Sequence, residues 1–278
     1  MREIHVDIIK KEITRLCLES NFALPKDVLD ALERAFLEEI NVRAKEILGM
    51  IIENAKYAED KKIPICQDTG YAVCFFEIGQ QVHIVGGELE DAIQKGIEVG
   101  YKDLRKSIVS DPFKRNNTND NVPGIIHYRI VPGDNVKIFF MPKGGGSENV
   151  SKFKIFKPTV QKEKIKEFIL DAVIEAGGNP CPPVIVGVGI GGTSEKAFEL
   201  AKHSLLRKIG VNNSDSDLEL FEKDLKERIN KTGVGPSGLG GKTTCLAVHV
   251  ETYPCHIASL PVAVNIQCHA ARHMEVVI

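Results

Sequence analysis

The sequence contains no tryptophan and only 6% aromatic residues, so it offers few rings of the kind that stack single-stranded nucleic acid. No apolar run approaches the roughly 18 residues of a spanning helix, so no membrane segment is expected. Charge of one sign is also lacking. The 36 Lys and Arg against 38 Asp and Glu leave a formal net charge of −2, which gives no reason to expect nucleic acid or an anionic surface as partner. The start, Met1-Arg2-Glu3-Ile4-His5, runs into charged Lys10-Lys11-Glu12 and shows no secretory pattern. There is no CxxC pair, which excludes a zinc ribbon and the two-cluster ferredoxin pattern. Internal repeats and low-complexity tracts are missing as well.

What is present is an ordinary globular composition, with 43% hydrophobic residues in 278. The seven cysteines are odd in number and scattered, whereas a secreted disulfide framework is shorter, denser and usually even. A reducing cytoplasm is expected, with thiols free to act as ligands or to fill the core. Helical periodicity covers about 4–20, 25–36 and 41–57, and Pro64 closes this region. From Tyr71 the period changes to strands over 71–78 and 82–85, then a helix over 88–101. A polar stretch over 110–123 is too long for a simple turn. The runs 125–131 and 136–141, joined by Pro132-Gly133-Asp134-Asn135, read as strand, turn, strand. A helix over 165–176 follows, with Thr159 as its expected cap and Gly177-Gly178 as its stop. Then come a strand over 184–188, helices over 194–206 and 217–231, and strands over 245–251 and 260–267. Helices first and mixed elements after predict an α+β fold. The predicted organisation is a single domain over 1–278, with a helical N-terminal region over 1–62 and an α+β core over 63–278.

The stretch of densest chemistry is Ile65-Cys66-Gln67-Asp68-Thr69-Gly70, where a thiol, an amide, a carboxylate and a hydroxyl stand side by side. Cys181, in Asn179-Pro180-Cys181-Pro182-Pro183, and Cys268, in Asn265-Ile266-Gln267-Cys268-His269, also sit at element ends among Pro, Gln and Asn. They are candidates for a shared metal site, although spacing alone leaves that open. Cys17 lies on the apolar stripe of a helix and Cys74 and Cys245 lie within strand-like runs, so all three read as core. Cys255 beside His256 is a conceivable nucleophile pair, but neighbours on a strand seldom face each other. Gly187-Val188-Gly189-Ile190-Gly191-Gly192 satisfies GxGxxG after a strand. No second strand with an acidic end follows at the distance a dinucleotide fold needs, so close helix–strand packing is the expected use. Gly235 to Thr243 imitates a phosphate loop with its spacing wrong by one and a strand where a helix belongs; a loop shaping a cleft is expected instead. The three glycines of Lys143-Gly144-Gly145-Gly146-Ser147-Glu148-Asn149 fit either a flexible turn or an amide cradle for a carboxylate. Arg105 is of the type that grips carboxylates with two parallel bonds.

Together these pieces resemble the class I, iron–sulfur-dependent fumarate hydratases and their L-tartrate dehydratase relatives. The resemblance rests on Ile65 to Gly70, on Asn116 to Pro123, on Lys143 to Asn149, on Cys181-Pro182-Pro183, and on His256 to Arg272, in that order along the chain. It implies that Cys66, Cys181 and Cys268 hold a [4Fe–4S] cluster with one iron left open. It implies that Gln67, Asp68, Arg105 and the Gly144, Gly145 and Gly146 amides contact a C4 dicarboxylate. His256, paired with Asp68, would stand near the departing hydroxyl. The reaction implied is the reversible hydration of fumarate to L-malate in the tricarboxylic acid cycle, or else dehydration of L-tartrate. Single-chain members continue into a second domain, whereas this sequence ends just after Arg272. It therefore looks like an α subunit, with a β subunit completing the site in an α2β2 assembly. The rival readings are a nucleotide-binding enzyme built on Gly187 to Gly192 and a non-catalytic metal-binding subunit.

Overall fold

The computed structural model describes all 278 residues and divides the chain into two compact units. The first comprises Met1–Pro25, Ala55–Gly145 and Arg272–Ile278; the second comprises Lys26–Asn54 and Gly146–Ala271. The fold class is α+β, as the order of elements predicts.

In the first unit, strand β1 (Arg2–His5) runs parallel to β3 (Val82–Val85). Helix α1 (Val6–Phe22) follows, its start capped by the His5 Nδ1, which accepts from the Asp7 N–H. Its apolar stripe, Ile9, Ile13, Leu16 and Cys17, is buried. Opposite lies α4 (Leu89–Gly100), the two helices crossing at small residues. A Cβ on Gly96 would stand 2.8 Å from the Lys10 carbonyl oxygen, and one on Gly100 would stand 2.5 Å from the Cys17 Cβ. Beneath lies a four-stranded sheet of order β10-β5-β2-β4, made of β2 (Tyr71–Gly79), β4 (Ile125–Val131), β5 (Val136–Lys143) and β10 (Met274–Val277).

The expected strand, turn and strand over 125–141 are present, but the two strands are not neighbours. β4 and β5 do not pair with each other, because β2 lies between them, parallel to β4 and antiparallel to β5. The end of β2 enters the turn: the Gly79, Gln80 and Gln81 N–H groups donate to the carbonyls of Asn135, Val131 and Gly133. Gly79 is required there, since a Cβ would meet the Gly133 oxygen at 2.5 Å.

In the second unit a sheet of order β6-β9-β7-β8 is made of β6 (Lys152–Phe156), β7 (Val184–Gly191), β8 (Cys245–Tyr253) and β9 (Leu260–Gln267). β7 is parallel to β8 and antiparallel to β9. Helices α6 (Lys162–Ala176) and α8 (Ser216–Asn230) cover one side with Ile165, Ile169, Val173, Phe221, Leu225 and Ile229, and α7 (Ser194–Ser204) packs on β7 and β9. Helix α2 (Lys26–Glu38) also belongs to this unit, and α3 (Val42–Lys61) begins in it. Thr159 does not cap α6: the cap position is Gln161, with no side-chain bond. Asp215, by contrast, caps α8 through the Asp217 and Leu218 N–H groups. β1, β6 and β10 lie outside the elements expected from periodicity.

Candidate active site

Residues 65–70 form a loop between α3 and β2, held at both ends. The Ile65 N–H donates to the Asn21 carbonyl at 2.9 Å, and Gly70 turns through φ +75° with its Cα against the Lys143 backbone. Asp68 organises the interior. Its Oδ1 accepts from the Gly70 N–H at 2.9 Å, closing an Asx-type turn, and from the Ser107 hydroxyl at 3.4 Å. Its Oδ2 accepts from the Gly145 N–H at 2.8 Å, and a Cβ on Gly144 would lie 3.2 Å from the same oxygen. Asp68 and the first two glycines of the triple-glycine segment are thus brought together, with a one-turn helix α5 (Gly145–Glu148) beginning at the contact. The Cys66 Sγ accepts from the Asp68 N–H at 3.4 Å and lies 3.4 Å from the Gln67 Oε1. Gln67 and Arg105 have exposed side chains; the Arg105 carbonyl accepts the Thr69 hydroxyl at 2.5 Å.

Below the loop, three successive carbonyls each meet a buried side chain. Asp68 O accepts from Arg272 at 2.9 Å, Thr69 O from the Tyr101 hydroxyl at 2.9 Å, and Gly70 O from the Asn121 amide at 3.2 Å. Asn121 also takes the Ser107 N–H at 2.7 Å. Sequence reasoning assigned no role to Ser107, Tyr101, Asn121 or Arg272. The one visible signal was the density of Asn in 116–121, which the structure resolves into side-chain turns.

Gly146, Cys181, His256 and Cys268 belong to the second unit. Cys181 is exposed, in the left-handed region at φ +55°, a conformation a non-glycine residue holds only under constraint. The constraint is visible. Its N–H donates to the Gly178 carbonyl, its carbonyl accepts from the His269 N–H at 3.2 Å, and the next carbonyl, of Pro182, accepts from the Ser237 N–H at 2.8 Å. The Cys181 and Cys268 segments are therefore joined by a direct main-chain bond. Gly146 lies against the Asn179 carbonyl, where a Cβ would stand 3.4 Å away. His256 is exposed on the loop after β8, its Nδ1 accepting from the Ala258 N–H at 3.1 Å. It is not bonded to Cys255, whose sulfur reaches the Ser259 carbonyl instead, so no nucleophile pair forms there.

The seven thiols separate by environment. Cys17, Cys74 and Cys245 are fully buried, and burial pushes each thiol up, that of Cys245 to about 12. None of these can offer a thiolate near neutrality. Cys66 and Cys268 are half-buried and Cys181 is exposed, all three in loops. Their accessibility and soft donor atoms fit iron–sulfur ligation, in which each thiolate binds its own iron. No three His, Cys, Asp or Glu side chains converge as ligands of one metal ion.

The two nucleotide-like motifs are used for packing. Gly187 and Gly189 lie inside β7 under α7, where added Cβ atoms would stand 2.1 Å from the Ala201 oxygen and 2.0 Å from the Ala197 oxygen. Gly191 meets the Tyr253 oxygen in the same way, at 1.9 Å. The loop at 233–241 folds on itself: the Gly240 N–H donates to Val234 O and the Gly235 N–H to the Thr244 hydroxyl. Its Gly238 presses on Gly178, beside the Cys181 segment.

Comparison with known proteins gives the family. A family model described as fumarate hydratase (Fumerase) matches residues 10–277. The "Putative L(+)-tartrate dehydratase subunit alpha" of Methanocaldococcus jannaschii is 42% identical over 274 residues, spanning 95% of each chain. The L(+)-tartrate dehydratase subunit alpha of Escherichia coli strain K12 is 30% identical over 261 residues, spanning 90% of this chain and 84% of that protein. The similarly named Shigella sonnei protein matches to the same degree. This chain belongs to the fumarate hydratase (Fumerase) family. No helix is long and apolar enough to cross a membrane.

Proposed function

We propose that this chain is the α subunit of a [4Fe–4S]-dependent hydro-lyase that interconverts a 2-hydroxy C4 dicarboxylate and its dehydrated partner. The reading rests on one observation above the others. It is that, inside each unit, motif segments distant in sequence are bonded to one another. Gly145 is bonded to Asp68 in one unit, and the Cys268 segment is bonded to Cys181 in the other.

In this reading Cys66, Cys181 and Cys268 hold the cluster, and a bound cluster would supply Lewis acidity toward a departing hydroxyl. The chain's own residues do the rest. The exposed amide of Gln67 and guanidinium of Arg105 bind and orient the substrate carboxylates, Arg105 through a paired contact. Gly144 to Gly146 let the backbone approach a carboxylate without side chains in the way. Asp68, already bonded to Gly145, holds that segment in place and shares with His256 the handling of the hydroxyl proton. A β subunit supplies the base for the neighbouring carbon and completes the cleft in an α2β2 complex. A cytoplasmic location accords with these free thiols.

The family's description points to fumarate and L-malate, whereas the names of the relatives point to L-tartrate as a second reading. Steady-state kinetics of the anaerobically assembled complex on fumarate, L-malate and L-tartrate separate them. Turnover of none of the three refutes the proposal.

A further inference from the structure

We infer that Arg272 is a positioning residue for the Asp68 loop, acting together with Tyr101 and Asn121 as a cradle that leaves Gln67 exposed and holds the Asp68 carboxylate toward Gly145. The inference rests on the proposed hydro-lyase reading for its catalytic consequence, but not for its geometry. Loop carbonyls ordinarily point to water, which satisfies them cheaply. Here the carbonyls of Asp68, Thr69 and Gly70 are taken in succession by side chains that are 2%, 0% and 0% exposed. The three donors come from distant parts of the chain: the residue after Ala271, the end of α4, and the Asn-rich stretch.

Arg272 is the unusual member. Its guanidinium donates to the Asn21 Oδ1 at 3.0 Å and to Asp68 O, both neutral acceptors, and its buried Nε has no hydrogen-bond partner. Burying a cation among neutral groups is costly, and a methionine or leucine of similar volume would serve the core at least as well. Only the directed fork of an arginine reaches Asn21 and Asp68 at once. Asn21 in turn receives the Ile65 N–H through its own carbonyl. Arg272 therefore ties the start of the loop to its centre. Fixing the backbone there fixes the Gly70 turn, and with it the direction of the Asp68 carboxylate toward Gly145. The residue lies four positions after Cys268, so the same segment bears a proposed cluster thiol and this brace.

The test compares Arg272→Met, Arg272→Lys and Tyr101→Phe in the full chain, by hydrogen exchange over residues 65–70, and in the assembled complex by kinetics. Arg272→Met and Tyr101→Phe are expected to speed exchange of the Ile65 and Gly70 amides by about tenfold, the scale of one lost hydrogen bond. Amides of α1 and α4 should exchange as before. They should lower kcat by about tenfold or more while KM changes less than threefold, with Arg272→Lys intermediate. A merely structural role would instead raise exchange throughout the first unit and lower the amount of active protein without altering kcat. Should Arg272→Met fail to fold, Tyr101→Phe decides, because it removes a single oxygen. Exchange and kcat within twofold of wild type in both variants would overturn the inference. Faster exchange in a complex whose wild type turns over none of the three acids would sustain the cradle and refute the hydro-lyase reading alone.

Discussion

Gly189→Ala is the sharpest test of what the glycine-rich strand does. Gly189 lies in β7 with ordinary extended backbone, so alanine brings no backbone strain; only its methyl matters. That methyl would stand 2.0 Å from the Ala197 oxygen, 2.7 Å from the Ala201 nitrogen and 2.9 Å from the Leu200 Cβ, all in α7. Two of the three are main-chain atoms of a helix and cannot swing away. The helix must lift by more than an ångström from a strand in the middle of the sheet. Overpacking of this kind costs about 1–3 kcal/mol or more. At roughly 2–4 °C per kcal/mol for a unit of this size, the thermal midpoint should fall by about 5–10 °C. Gly210→Ala provides the contrast, since nothing lies within 4 Å and only its φ of +93° resists alanine. It should cost about 1 kcal/mol through the backbone alone. Differential scanning fluorimetry reads both, and titration with NAD or ATP should show no binding to the wild type. A Gly189→Ala midpoint within about 1 °C of wild type, or tight nucleotide binding, would refute the packing account of the motif.

The remaining predictions concern thiols and a buried acid. In the metal-free chain at pH 8, a disulfide reagent should react quickly with Cys66, Cys181, Cys255 and Cys268 and leave Cys17, Cys74 and Cys245 unmodified until unfolding. The sign follows from burial: a thiol raised to about 12, as for Cys245, forms thiolate only as pH climbs toward that value, so raising the pH from 7 to 9 should leave the slow group slow. Cys181→Ser should abolish cluster absorbance after anaerobic reconstitution, whereas Cys74→Ser should retain it. Glu222 takes Arg207, Asn213 and the edge N–H of Val250 on a single oxygen. Glu222→Ala should therefore destabilise by about 3 kcal/mol in chemical denaturation, and Glu222→Gln by clearly less.

Long periodic segments are legible in the sequence. α4, α7 and α8 fall within a residue or two of where their apolar spacing puts them, and the burial of Cys17, Cys74 and Cys245 follows from the apolar stripe of α1 and the strand-like runs of β2 and β8 that carry them. Short strands were not legible. β1 is REIH, β6 is KFKIF and β10 is MEVV, four or five residues each with charges among them, and their pairing partners decide their state. The strands on either side of Pro132 to Asn135 could be read from the sequence but their partner could not, because nothing local reveals that β2 inserts between them. The outward chemistry of the site, Gln67, Asp68 and the glycines, could be read from residue types. Its support could not, because Tyr101 reads as the end of a helix and Arg272 only as the last residue of the Cys268 segment, until the fold buries both against the same loop.

The proposed hydro-lyase requires three thiols from separate segments to hold one cluster. Iron and acid-labile sulfide, counted per chain after anaerobic reconstitution of the wild type and of the Cys66, Cys181 and Cys268 serine variants, test it most directly. About four of each are expected in the wild type, with a collapse in every single variant. Less than one iron per wild-type chain, or a full complement in any of the three variants, would contradict it.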